Sequence, residues 1–134
     1  MSSAAPISFA IEPHASPVSV ADRDAALANP GFGKIFTDHM AIIRYSDTKG
    51  WHDARITARA PISLDPAAAV LHYAQEIFEG LKAYRREDGT MALFRPDANA
   101  RRFNASADRM AMPQLPEQTF IDACTKLVDI DRAW

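Results

Sequence analysis

Proline sets the first limits on this chain, because its ring fixes φ at about −65° and removes a backbone donor. Helix interiors and central strands therefore cannot run through one. Of the nine prolines, Pro6, Pro13, Pro17 and Pro30 fall within the first thirty residues, and no apolar period survives between them. Residues 1–30 are expected to be an extended arm with one short helical turn near Ala21–Ala28. Ile7, Phe9, Ile11, Val18 and Val20 want cover, so the arm is expected to lie on the body of the protein. Residues 31–134 are expected to form the folded unit.

Beyond the arm, turn and start signals alternate. The run IFTDHMAIIRY (35–45) is rich in β-branched and aromatic residues, SDTKG (46–50) is turn chemistry, and WHDARITARA (51–60) returns. An antiparallel hairpin follows from that pattern. Asp65 can cap a helix and Pro66 suits its first position. Val70, Leu71, Ala74, Ile77, Phe78 and Leu81 recur at helical spacing, which predicts a helix over 66–79 stopped by Gly80. Asp88-Gly89 then predicts a second hairpin, with strands at 81–86 and 90–95 joined by a tight primed turn. Pro96-Asp97 opens a helix over 98–109, and Pro113 and Pro116 break it. A third helix starts at Glu117, with Phe120, Ile121, Cys124, Leu127 and Val128 on one face. Its period is still running at DIDRAW, so the unit is expected to be incomplete at its C-terminal end. The expected fold class is α+β, an antiparallel sheet with helices packed against it.

Length and charge narrow the function. A chain of 134 residues has room for one core, burying about two thirds of its unfolded surface. Fifteen basic against seventeen acidic residues give a net charge of −2, which lacks the basic footprint of a duplex-DNA binder or a polybasic membrane anchor. No apolar run is long enough to span a bilayer. One cysteine, Cys124, excludes an internal disulfide and a cysteine-cluster zinc site. The opening MSSAAPISFA has no basic n-region, so no secretory signal is expected and the cytoplasm is the expected compartment.

Few residues announce chemistry. There is no phosphate-binding glycine loop, no G-x-S-x-G elbow and no H-E-x-x-H. His14, His39, His52 and His72 are single and read as hydrogen-bonded or surface histidines. Asp38 and His39 alternate along a strand and so point to opposite faces, which rules out a dyad. Glu76 and Glu79 would be neighbours on a helix, readable as an acid–base pair or as two solvated carboxylates. Arg95, Arg101, Arg102 and Arg109 cluster around one helix. They read as a solvated basic face, with a fork of donors for a phosphate as the alternative. Tyr73 and Phe78 read first as core aromatics.

Two longer segments carry more. PGFGKIFTDHMAIIRY and LHYAQEIFEGLKAYRREDGTMALFRPDANARRFNASADRM resemble the N-terminal part of the branched-chain amino-acid aminotransferases, fold-type IV pyridoxal-phosphate enzymes. The resemblance runs from about Phe9 to Trp134 in motif order. It implies the small N-terminal domain of that fold, with the cofactor held between it and a larger C-terminal domain. It implies transfer of the amino group of leucine, isoleucine or valine to 2-oxoglutarate, in a cytoplasmic homodimer. Arg102, the second arginine of NARR, matches the family's cofactor-phosphate ligand. Phe32 in GFG, Tyr73 in LHY and Phe78 in FEG match residues lining the pocket for the branched side chain.

One part of the family pattern is missing. The Schiff-base lysine lies beyond residue 134, and Lys34, Lys49, Lys82 and Lys126 do not stand in its context. A catalytic residue set is therefore not expected within these residues, and the chain alone is expected to be inactive and to bind pyridoxal phosphate weakly or not at all. D-amino-acid aminotransferases and aminodeoxychorismate lyases share the fold type and are the nearest alternatives. A short non-catalytic interaction domain is the alternative of a different class. The FTDHM segment and the long arm favour the branched-chain enzymes.

Overall fold

A computed structural model describes residues 7–134. In chain order its elements are β1 (Ala10–Ile11), α1 (Val20–Ala28), β2 (His39–Ser46), β3 (Gly50–Ala58), α2 (Ala69–Tyr73), β4 (Ala83–Arg85), β5 (Met91–Leu93), α3 (Pro96–Arg109) and α4 (Glu117–Ile130). The class is α+β, as expected, with one three-stranded sheet in the order β1-β3-β2 and a second, two-stranded sheet β4-β5.

The first hairpin forms where the β-branched residues predict it. Strand β2 pairs antiparallel with β3, from His39 opposite Ala58 to Ser46 opposite Gly50. Between Ile42 and Arg44 the register slips, because one residue of β2 faces both Asp53 and Ala54. Asp53 takes a left-handed φ of 53° at this bulge. The extra residue shifts the side-chain alternation of β3, so that Trp51 joins Ala54 and Ile56 on one face. Trp51 stacks edge-on against Tyr45 at 5.1 Å, and its indole donates to the carbonyl of Gln114 at 2.8 Å. Asp53 itself turns outward to Arg44 at 3.2 Å and Arg55 at 3.1 Å.

The arm is seated on the sheet and is more regular than its prolines suggest. Strand β1 adds in parallel to β3, and Phe9 is buried with Ala54 and Ile56. The expected single turn is the nine-residue helix α1, begun by Ser19, whose side chain accepts from the amide of Asp22. Ser19 lies just past Pro17, and the 21–28 stretch carries no proline to stop the helix. Ile11, Val18 and Val20 remain exposed. Pro6 lies outside the described residues.

Helices α3 and α4 cover the sheet. Ala100 and Ala107 on α3 are buried, and Phe103 meets Phe120 of α4 at 5.3 Å. Ala123, Leu127 and Ile130 of α4 pack on the Phe9–Ile56 cluster, while Ile121 and Cys124 pack on a second cluster of Ala100, Leu115 and Phe120. Asn104 ties the intervening loop to α3, donating to the Leu115 carbonyl at 2.8 Å and accepting from its amide at 2.9 Å.

Three expectations need correction. The helix over 66–79 is only the five residues of α2, closed by Ala74 at a left-handed φ of 49°. From Ala74 to Leu81 the chain is non-helical and its burial alternates, with Gln75, Ile77, Glu79 and Leu81 half-buried and their neighbours exposed. A helix there would have no sheet under its apolar stripe, whereas this course carries Leu81 to the Ala100–Phe120 cluster. In the second hairpin the amide of Gly89 donates to the carbonyl of Arg86, and Arg86 to Thr90. Only Gly89, at φ 81°, is left-handed in that loop, so three residues, 87–89, lie between the bonded pair Arg86 and Thr90 rather than a two-residue primed turn. Finally, α4 ends at Ile130 instead of running on, because Asp131 leaves the helix to bond inward.

That inward bond joins three parts of the chain. His39 on β2 is buried, its Nδ1 lies 2.6 Å from Asp131 Oδ1, and its amide donates to Oδ2 at 3.1 Å. The amide of His14 in the arm donates to His39 Nε2 at 2.8 Å, so the ring proton sits on Nδ1 and is donated to Asp131. Asp131→Ala would strand both donors of His39, at a cost of roughly 2–5 kcal/mol. Urea denaturation of the variant should show that loss in the midpoint; an unchanged midpoint would contradict the junction.

Candidate functional site

The site is built from the first two turns of α3 and the segment that follows α2. Arg95 precedes α3 in a left-handed conformation, φ 49°, and Pro96 opens the helix. Asn99 and Arg102 are three residues apart and therefore share a face. Against that face lies Glu79, turned inward by the alternation from Ala74 to Leu81. Its side chain is 5% exposed, whereas that of Arg102 is 67% exposed.

The contact between them is bidentate. Arg102 donates from Nε to Glu79 Oε1 at 2.5 Å and from Nη2 to Oε2 at 2.8 Å. Asn99 Nδ2 donates to the same Oε2 at 2.8 Å and to the carbonyl of Gly80 at 3.1 Å. The Arg102 guanidinium, with help from Asn99, holds the Glu79 carboxyl down at about 2. Among the described residues Arg102 Nη1 has no hydrogen-bond partner, so one edge of the fork faces outward.

Arg102 also lines a groove of ≈ 420 Å³, together with Glu76, Ile77, Phe78, Ser106 and Arg109, among others. Its size lies within the range of small-ligand clefts. Arg102, Ser106 and Arg109 follow one another at helical spacing, so two cations and a hydroxyl share the wall. These donors suit a phosphate, with the Glu76 carboxylate opposing an anion from the same lining. The arginine cluster is thus split: Arg101 pairs along the helix with Asp97 at 2.8 Å and points away, and Arg102 faces the groove.

The other candidates are placed unevenly. Phe78 lies on the groove with Arg102, but Tyr73 and Phe32 do not line it. Phe32, Tyr73 and Phe78 are 99%, 82% and 89% exposed, so none of them is a core aromatic. Glu76 and Glu79 do not form the helical pair, because in an alternating segment three positions apart means opposite faces. The histidines serve structure: His52 and His72 bond to the carbonyls of Gly50 and Pro66, His14 accepts from the amide of Ser16, and His39 joins Asp131. Asp38 and His39 bond separately, Asp38 accepting from Val18 and Trp134. Among the described residues no group of three or more His, Cys, Asp or Glu is placed to hold a metal, and no helix is long and apolar enough to cross a membrane.

Sequence reasoning missed Glu79 and Asn99 as partners of Arg102. The Asn99–Arg102 spacing was a usable signal once α3 was assigned, but Glu79 was hidden by the helical period read into 66–79.

An α+β unit presenting an arginine-walled anion groove is a broad class, and sequence comparison narrows it. No protein-family model matches the chain. It is 58% identical over 124 residues to a probable branched-chain-amino-acid aminotransferase of Streptomyces coelicolor, covering 92% of this chain and 34% of that relative. It is 51% identical over 129 residues to a branched-chain-amino-acid aminotransferase of Mycolicibacterium smegmatis, covering 96% of this chain and 35% of that relative. Over 104 residues, 78% of this chain and 29% of the relative, it is 50% identical to branched-chain-amino-acid transaminase 1 of Bacillus subtilis. Over most of its length the chain is similar to the N-terminal portion of branched-chain-amino-acid aminotransferases. It spans about a third of the length of the relatives it matches.

The lowered Glu79 carboxyl makes a pH prediction. Its folded value, about 2, lies below the ordinary 4.5, so folding disfavours its protonation. The contribution is therefore whole above the ordinary value and is lost as pH falls through the folded one. The gap in melting temperature between the wild type and Glu79→Gln should be constant above about pH 5.5 and close progressively below it. A gap that stays constant down to pH 3 would contradict the ion pair.

Proposed function

We propose that the chain is the N-terminal portion of a pyridoxal-phosphate-dependent aminotransferase that moves the amino group of leucine, isoleucine or valine to 2-oxoglutarate. The observation that carries this reading is the exposed Arg102, which lines a groove with Phe78, Ser106 and Arg109, in a sequence half identical to branched-chain aminotransferases. When bound, pyridoxal phosphate supplies the electron sink for amino-group exchange. This chain's part is to bind and orient. Arg102 would receive the phosphate through Nη1, a charge-assisted contact suited to a dianion. Phe32, Tyr73 and Phe78 would form one wall of the side-chain pocket, where a hydrocarbon is distinguished by shape and desolvation.

The exposure of those three rings supports the reading. Aromatics gain most when buried, and each of these is more than four-fifths exposed. A large domain and a second subunit of a homodimer would supply the facing walls. The Schiff-base lysine would come from the same large domain, so the 134-residue chain alone is expected to show no transaminase activity. The cytoplasm is the proposed compartment.

Arg102→Ala in the full-length protein should raise the dissociation constant for pyridoxal phosphate roughly 10- to 100-fold. Pyridoxal, which has no phosphate, should bind as before. Equilibrium titration by cofactor absorbance measures both, and equal effects on the two ligands would overturn the assignment of Arg102. For the substrate wall, Phe78→Ala should lower kcat/KM for leucine by roughly 10- to 100-fold through lost apolar contact. Activity on D-alanine with none on leucine would replace the branched-chain reading by a D-amino-acid one.

A further inference from the structure

Arg102 poses a problem of order. Its side chain is 67% exposed on the outer face of α3, and a long, exposed arginine samples many rotamers. A ligand that needs the guanidinium in one orientation must first collect it. Yet the guanidinium is fixed, and what fixes it is Glu79, at 2.5 Å to Nε and 2.8 Å to Nη2. The two exposures are opposite in kind: the carboxylate is sunk, at 5%, beneath a cation that is mostly in water. An ordinary surface pair would expose both partners.

Glu79 is itself held. Asn99 Nδ2 donates to Oε2 from one turn earlier on the helix, and also grips the Gly80 carbonyl just beyond Glu79. Helix α3 and the segment before β4 are thereby cross-tied at the base of the groove. The contact occupies the Nε–Nη2 edge of the fork and leaves Nη1 without a partner among the described residues, while Arg102, Ser106 and Arg109 all line the groove. Of the two carboxylates, Glu76 lines the groove and opposes an incoming anion there, whereas Glu79 is sunk beneath the guanidinium.

We propose that Glu79, carried by Asn99, is a positioning residue that presets Arg102 for the cofactor phosphate. The inference rests on the reading of Arg102 as a phosphate contact. Glu79 touches neither cofactor nor substrate and acts through the arginine.

A double-mutant cycle in the full-length protein tests it, with titrations of pyridoxal phosphate and of pyridoxal as readouts. Glu79→Gln should weaken pyridoxal phosphate binding roughly 3- to 10-fold, the scale of immobilising one rotamer-rich side chain. Pyridoxal binding should stay unchanged. In the Arg102→Ala background Glu79→Gln should have no further effect on either ligand. Glu79→Asp, one methylene short of bidentate reach, should fall between wild type and Glu79→Gln. Equal loss for both ligands would show a merely structural role and overturn the proposal. Tighter binding by Glu79→Gln would also overturn it, since Glu79 would then be a competitor of the phosphate. If Arg102→Ala alone leaves the two ligands undistinguished, the reading of Arg102 fails and this proposal fails with it. A normal Arg102→Ala effect with a silent Glu79→Gln overturns the positioning role alone.

Discussion

Ile56 is wholly buried on the central strand of the larger sheet, and the chain around it must send Ala54 and Trp51 to the same side. Strict alternation forbids that, since Trp51 is an odd number of residues from both. The bulge at Asp53 resolves the conflict by inserting one unpaired residue and accepting a left-handed backbone there. Without it Trp51 would face solvent, and its hydrogen bond to Gln114 could not form. That bond and the Asn104–Leu115 pair set the path of the chain between α3 and α4. The helix pair, and so the wall of the groove, is thus placed by an aspartate on the sheet.

A second parity governs the site. Between Ala74 and Leu81 burial changes at every residue, so Glu79 and Leu81 face inward while Phe78 and Gly80 face out. The same alternation places an apolar ring on the groove and a carboxylate behind it, one residue apart. Had the segment been helical, Phe78 would have joined Ile77 and Leu81 on one stripe and Glu79 would have reached solvent.

The hairpins, α3 and α4 could be read from the sequence because their signals are local: β-branched runs, Asp-Gly, Pro at the first helical turn. Arg102 and the three aromatics could be reached by family resemblance, and Arg102 in part by its spacing. The 66–79 segment was misread because Val70, Leu71, Ala74, Ile77 and Phe78 fit a helical period as a matter of count. What decides against the helix is the place where Leu81 must arrive, a tertiary demand that no window of fifteen residues contains. The Asp131–His39 bond, spanning 92 residues, was out of reach for the same reason, although Asp131 looked from the sequence like one more helical turn. The bulge was likewise silent, since Asp53 reads as an ordinary polar strand residue.

The Glu79–Arg102 pair sets charge against geometry. A carboxylate behind the guanidinium lowers the net positive charge that a phosphate meets, which by itself weakens attraction. At a site as open as this, the high dielectric of water screens that repulsion. The contact on the near side of the guanidinium is not screened in the same way, because no water separates donor from acceptor. Order gained close to the ligand therefore outweighs charge lost behind it. Burial sets a limit: covering the groove with further protein would remove the screening and strengthen both terms. The repulsion then grows with the attraction, unless a second cation shares the phosphate. Arg109, two turns along the same face of α3, stands on the groove wall where such sharing is geometrically open.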